Sequence, residues 1–236
     1  MTIEYPSAGV EPRAPWQSGE VLSTALRVSL RDLNVRFLAC MRSLPEDELA
    51  ALGFTTNVTR LLRAIEVESM SVIAACPYAL FDAAFRQHEY WQTLYTGAVA
   101  ARSARLPSKA GPDYASEYDA LTEMALFFAW HLATTNALAT RLVLGMSAAT
   151  SAVIRSSTLP ALAGVARGQQ RLLRPRWPQR TLYWRRLLAI TPQSSFEETS
   201  SAQLVGIQLM ATQECLEDAA TVRARTDARS PRSTSR

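Results

Sequence analysis

Residues 144–188 decide the fold, and they read LGMSAATSAVIRSSTLPALAGVARGQQRLLRPRWPQRTLYWRRLL. The segment contains two short apolar stretches with helical spacing, a Ser-Thr-Leu-Pro turn between them, and an arginine-rich exit. Two short helices joined by a tight turn are typical of a helix-turn-helix unit. The stretch therefore predicts a helix-turn-helix unit with a basic segment directly after it.

A weaker copy of this stretch lies 92 residues earlier. Leu52-Gly53 aligns with Leu144-Gly145, and without a gap Phe85 falls on Trp177 and Trp91 on Tyr183. Only 6 of the 43 aligned positions are identical, but the apolar positions stay in register along both helices, which favours an internal repeat. The alternative is that any two amphipathic helical segments align at some offset.

The two copies differ in charge. Copy one carries three arginines against four carboxylates, whereas the chain from Met124 to Phe196 has no carboxylate at all. A surface that faces phosphates explains such a window, because a nearby carboxylate would oppose phosphate binding. A basic face in solvent and an acidic protein partner are the alternatives. The predicted DNA-binding residues are the arginines of copy two: Arg155, Arg167, Arg171, Arg174, Arg176, Arg180, Arg185 and Arg186.

Apolar periodicity predicts a long helix before each copy, at about residues 20–42 and 119–143. Changes in composition then divide the 236 residues into segments. The predicted order is a flexible arm (1–18), a first unit (19–97), a linker (98–117), a second unit (118–221) and a disordered tail (222–236). The expected fold class is all-α, with two tandem units that each combine a long helix with a helix-turn-helix-like pair.

The composition limits which classes of function and which cellular location are expected. All 25 basic residues except Lys109 are arginine, and the formal charge of +4 with a pI of about 9.2 permits nucleic-acid binding without requiring it. The three cysteines are far apart, and no metal site or cofactor is predicted. The N-terminus does not resemble a secretion signal, and the longest uncharged run is too polar to span a membrane. We expect a cytoplasmic protein.

Catalytic motifs are missing from the sequence. His131 lies in an apolar segment and His88 in a polar one, and neither belongs to a recognisable nucleophile elbow or phosphate loop. We expect a protein that is not an enzyme.

In residues 118–220 the sequence resembles the FlhD family, the D subunit of the bacterial flagellar master transcription regulator. The resemblance is carried by Leu144-Gly145-Met146, by Ser157-Thr158-Leu159-Pro160, by Leu172-Leu173 and by Arg176-Trp177. Gly206-Ile207-Gln208-Leu209 resembles the family's last helix. Copy one lacks the Leu-Pro turn.

The resemblance implies an all-α activator of transcription that binds promoter DNA together with an FlhC-like zinc-binding subunit. Family members dimerise, so two fused copies would form an internal pseudo-dimer, or the chain would form a homo-oligomer. D-like regulators of conjugative elements also exist, so the regulated genes would be flagellar or conjugative.

On this hypothesis the helix at about residues 159–167 approaches a DNA groove, and the arginines after it contact phosphates. Because that helix offers few side chains able to read bases, phosphate contact is expected to dominate. The alternative function is a helical adaptor whose basic half binds an acidic protein.

Overall fold

The computed structural model describes residues 22–104, 113–169 and 171–229, so the predicted arm of residues 1–18 lies outside the described part. Within these ranges the chain forms eleven helices and a two-stranded sheet, which confirms the all-α class. The first half contains α1 (Thr24–Ser43), α2 (Glu46–Ala51), α3 (Thr56–Ala64), α4 (Val67–Ile73), β1 (Phe81–Asp82) and α5 (His88–Ala104). The second half contains α6 (Asp113–Thr135), α7 (Ala137–Leu144), α8 (Ala148–Ser156), α9 (Leu159–Gly168), β2 (Arg174–Pro175), α10 (Thr181–Leu188) and α11 (Phe196–Arg229).

Side-chain caps start most helices of the second half. Asn136, Ser147 and Thr158 each accept a hydrogen bond from the backbone N–H three residues later, at 2.9, 3.1 and 3.4 Å. Ser195 and Glu198 form a reciprocal capping box, with bonds of 2.8 and 3.1 Å, at the start of α11. These bonds satisfy backbone donors that have no partner inside the helix.

The helices differ from the predicted segments in three places. The expected helix of residues 119–143 is interrupted at Asn136, which leaves helical geometry (φ −151°) to cap α7. Helices α5 and α6 extend into the predicted linker, and only residues 105–112 between them lie outside the described part. Helix α11 continues through the predicted disordered tail to Arg229.

The helices of the two halves have matching positions 92 residues apart. Adding 92 to both bounds of α3 gives the bounds of α8, and the same offset carries the start of α4 to the start of α9 and the end of α1 to the end of α6. Gly53 and Gly145, also 92 residues apart, follow α2 and α7 and both have positive φ, at 94° and 63°. The element order is therefore the same in both halves as far as α9.

After α9 the offset becomes 93. Ala84 and Trp177 share an unusual positive φ, 54° and 51°. The indole N–H of Trp91 donates to Ala83 O and that of Trp184 to Arg176 O, both at 3.0 Å. The ungapped matches of Phe85 with Trp177 and of Trp91 with Tyr183 are therefore wrong by one residue. The additional residue falls in the segment between α9 and β2.

The halves pack through reciprocal contacts. Helix α1 packs against α6, and β1 pairs antiparallel with β2, Phe81 lying opposite Pro175. Helix α5 of the first half packs on α8 and α9, while α10 of the second half packs on α3 and α11. The ring of Phe54, for example, lies 5.0 Å from that of Trp184, centroid to centroid. The core is shared, so neither half buries its apolar surface alone.

None of the helices in the described ranges combines the length and the apolar content of a membrane span. The neighbouring helices α7 and α8 reach that apolar content only as a pair, and the chain bends by 115° between them.

Gly145 is a position where only glycine fits. Its φ of 63° is left-handed, and a Cβ there would overlap Nη2 of Arg176. We expect Gly145→Ala to lower the free energy of unfolding by about 3 kcal/mol, because left-handed strain adds to the displacement of a hydrogen-bonded guanidinium. Urea unfolding followed by far-UV circular dichroism measures this loss.

Gly97→Ala is the matched control. Gly97 lies inside α5 with no neighbouring atom within 4 Å of an added Cβ. Alanine there should raise the free energy of unfolding by about 0.5–1 kcal/mol. Equal effects of the two substitutions would contradict the close approach of Arg176 to Gly145.

Candidate nucleic-acid interface

The eight arginines predicted to bind DNA lie in three places. Arg155 and Arg167 are in the last turns of α8 and α9. Arg171, Arg174 and Arg176 lie around β2 and line one cavity together. Arg180, Arg185 and Arg186 lie at the start and in the last turn of α10.

Arg176 is buried, with 5% of its surface exposed. Its Nη1 donates to Val143 O at 3.0 Å and to Ala79 O at 3.4 Å, while its backbone N–H donates to Leu80 O at 2.9 Å. The guanidinium carbon lies 4.7 Å from the centre of the Trp177 ring. Arg176 therefore joins the end of α7 to the segment that leads into β1.

The burial of Arg176 has an electrostatic cost that its surroundings offset in part. Removal from water lowers the pKa of Arg176 to about 10; the carboxylate of Asp82 opposes this shift and the neighbouring Arg86 adds to it. Val143 O belongs to the last turn of α7, where the helix dipole favours a cation. The interactions of Arg176 are thus with carbonyls, an aromatic ring and one carboxylate of the same chain.

Two parts of the predicted interface are therefore corrected. Arg176 is buried and holds Val143 O and Ala79 O, so it does not belong to an exposed arginine surface. Helix α9, expected to approach a groove, packs between α5 and α6 and buries Ala161, Leu162, Ala163, Val165 and Ala166. Of its exposed residues, Arg167 is the one with a hydrogen-bonding side chain.

Carboxylates of the first half compensate some arginines of the second. Arg171 forms an ion pair with Glu48 of α2. Arg174 lies opposite Asp82 in the β1–β2 ladder. Residues 124–196 contain no carboxylate in the sequence. In the folded protein, however, acids of the first half lie near β2 and compensate some of their arginines.

The remaining arginines are exposed. Within the described ranges Arg155, Arg180, Arg185 and Arg186 form no ion pair. Helix α10 buries Tyr183, Trp184, Leu187 and Leu188 and turns Leu182, Arg185 and Arg186 outward. We call the side chains of Arg180, Arg185 and Arg186 the α10 arginine face.

Sequence reasoning missed Arg86 and Gln213. Arg86, from the first half, donates through Nε to Gly145 O at 3.1 Å and lines the same cavity as Arg176. Gln213 of α11 accepts the indole N–H of Trp177 at 2.9 Å. No motif marks either residue, and only the spatial contact between the halves reveals them.

The thiols of Cys40 and Cys76 are poorly suited to act as nucleophiles. Cys76 is buried, and its burial raises the thiol pKa to about 12, while burial together with Glu117 raises the pKa of Cys40 to about 11. Both thiols are therefore protonated and weakly nucleophilic near neutral pH. The described residues contain no group of three metal-ligating side chains.

Comparison of the chain with protein-family models, with curated proteins and with solved structures finds no match.

We predict that Arg176→Ala lowers the free energy of unfolding by about 3 kcal/mol, because charge-assisted bonds are lost and buried carbonyls become unpaired. Arg180→Ala removes an exposed arginine four residues away and should change the same quantity by less than about 0.5 kcal/mol. Urea unfolding of both variants measures the difference. A loss of similar size in both would show that Arg176 is no more structural than a surface arginine.

Proposed function

We propose that this protein is a DNA-binding transcriptional activator subunit of FlhD type, which acts in the cytoplasm with an FlhC-like zinc-binding subunit at flagellar or conjugative-transfer promoters. The observation that carries the proposal is the α10 arginine face, whose three exposed arginines have no carboxylate partner within the described ranges. Such a face gains free energy at a phosphate backbone by releasing counterions.

The position of this face suits contact with the DNA backbone. Arg185 and Arg186 are exposed, whereas Tyr183, Trp184, Leu187 and Leu188 of the same helix are buried, and α10 is fixed by its packing on α3 and α11. The planar guanidinium of arginine presents several donors in a fixed arrangement, so it loses less entropy per hydrogen bond to phosphate than a lysine ammonium does. The exposed face of α10 offers almost no other polar side chain, so base readout is assigned to the partner subunit.

The matching element order of the two halves supports the internal pseudo-dimer. Helix α1 packs against α6, its counterpart 92 residues later, as equivalent helices do across a two-fold axis. We infer that the chain is a fusion of two D-type units. Copy one then acts as a scaffold, since Glu48 and Asp82 place carboxylates beside Arg171 and Arg174.

Helix α11 leaves large apolar side chains uncovered. Leu204 and Ile207, which are three residues apart and therefore neighbours on the helix surface, are 53% and 41% exposed. Apolar surface of this kind marks a site for a protein partner. We place the contact with the C-type subunit there.

The DNA proposal is tested by fluorescence anisotropy with a labelled promoter duplex over a range of salt concentrations. Each phosphate contact contributes about 0.9 to the slope of log K against log salt. We therefore expect Arg185→Ala/Arg186→Ala to reduce that slope by about 1.8 if each arginine contacts one phosphate.

The control is Arg31→Ala/Arg36→Ala, which removes two exposed arginines from α1. This variant has the same change in net charge and should keep a slope close to that of the unmodified protein. Equal slopes for the two double variants would assign binding to net charge alone and contradict the α10 face. No salt-dependent binding, with or without a C-type subunit, would contradict the proposed function.

A further inference from the structure

A cavity of about 650 Å³ lies where the two halves meet. Its walls come from the Gly53 turn and the β1–α5 segment of the first half, from the Gly145 turn and the β2 region of the second, and from Gln213 of α11. Pockets for small molecules typically have volumes of roughly 300–1,000 Å³. The size fits a ligand as large as a nucleotide.

The charge on the cavity wall is strongly positive. The described residues of the wall include four arginines, Arg86, Arg171, Arg174 and Arg176, and one carboxylate, that of Asp82. Arg171 also has Glu48 as an ion-pair partner, but Glu48 does not line the cavity. A bound anion would be attracted by the guanidinium groups of Arg174 and Arg176, and the partly enclosed wall would strengthen that attraction.

Arg176 is the most deeply buried of the four arginines in this wall. Its Nη1 is used by Val143 O and Ala79 O, whereas Nε and Nη2 donate to no acceptor in the described part of the protein. The side chain is 95% removed from solvent, given its exposure of 5%. A guanidinium that is fixed on one edge and unsatisfied on the other is preorganised to bind an oxyanion.

The other wall residues suit a phosphorylated organic molecule. Gln87, Gln169 and Gln179 supply neutral amide donors and acceptors, and Tyr90 and Trp177 supply aromatic rings. Phosphate groups match the forked donors of arginine, and a planar ring can pack on aromatic side chains. A site with both kinds of group accepts a charged end and an uncharged end of one ligand.

We propose that this cavity binds a phosphorylated small molecule of nucleotide size, with its phosphate held by Arg174 and Arg176. Because residues of both halves form the wall, the ligand stabilises the contact between the halves. The α10 arginine face is separate from the cavity wall, since Arg180, Arg185 and Arg186 do not line it. The site is thus independent of the proposed DNA contact.

Isothermal titration calorimetry of the full-length chain with inorganic pyrophosphate, and then with adenosine triphosphate, tests the proposal. Both probes should bind saturably at one site per chain. Arg174→Ala should raise both dissociation constants by about tenfold, because one charge-assisted contact is lost from an exposed side chain with no structural hydrogen bond of its own. Urea unfolding of the variant checks that its stability is retained.

Arg36→Ala is the matched control, since it removes an exposed arginine of α1 that does not line the cavity. Its dissociation constants should equal those of the unmodified protein. Absence of saturable pyrophosphate binding at millimolar concentrations would overturn the proposal. Equal weakening by Arg36→Ala and Arg174→Ala would also overturn it, because binding would then follow net charge.

A DNA-binding measurement decides whether the cavity binds the phosphate of a small molecule or a phosphate of the DNA backbone. Duplex binding is measured with saturating pyrophosphate and with sodium chloride of the same ionic strength. Equal DNA affinity in the two solutions supports a separate small-molecule site. Displacement of DNA by pyrophosphate, together with equal weakening of both ligands by Arg174→Ala, would assign the cavity to DNA and overturn the small-molecule proposal.

Discussion

The rest of the structure depends on the contacts that the buried guanidinium of Arg176 makes with carbonyl groups and with the Trp177 ring. Burying a cation costs several kcal/mol unless its surroundings supply hydrogen bonds and charge. Here Val143 O, Ala79 O and the Trp177 ring supply part of that compensation. Val143 belongs to the same half as Arg176, whereas Ala79 and Leu80 belong to the first half. A separation of the two halves would therefore break the bonds of Arg176 to Ala79 O and Leu80 O. Gly145 has to lack a side chain because a Cβ there would overlap Nη2 of Arg176.

Around this contact the two halves exchange packing elements. Helix α5 covers α8 and α9, and α10 covers α3. The exchange determines which charges are compensated: Glu48 and Asp82 come to lie beside Arg171 and Arg174, whereas the α10 arginine face stays without a carboxylate in the described ranges. The proposed function and the proposed cavity therefore use different arginines of one basic segment. The proposed DNA contact uses the exposed arginines of α10, and the proposed cavity uses arginines around β2.

Much of the fold follows from local signals that the sequence displays. Helical periodicity predicts a long helix before each copy, and the structure has α1 and α6 there. The break at Asn136 was missed because an asparagine inside an apolar stretch becomes a cap only when its side chain turns back to the helix. The burial of Arg176 could not be predicted either. It depends on Ala79 and Val143, which are 97 and 33 residues away, and on an offset of 93 in place of 92 beyond α9.

Native-state hydrogen exchange measures the central claim, that the junction around Arg176 opens only when the whole molecule unfolds. The backbone amides of Ala79, Ser147 and Arg176 donate across this junction, at 3.0, 3.2 and 2.9 Å. We predict that their opening free energies equal the global free energy of unfolding, like that of the buried Ala129 in α6. Exchange of the three junction amides through openings several kcal/mol below that of Ala129 would contradict the account, because the halves would then separate without unfolding.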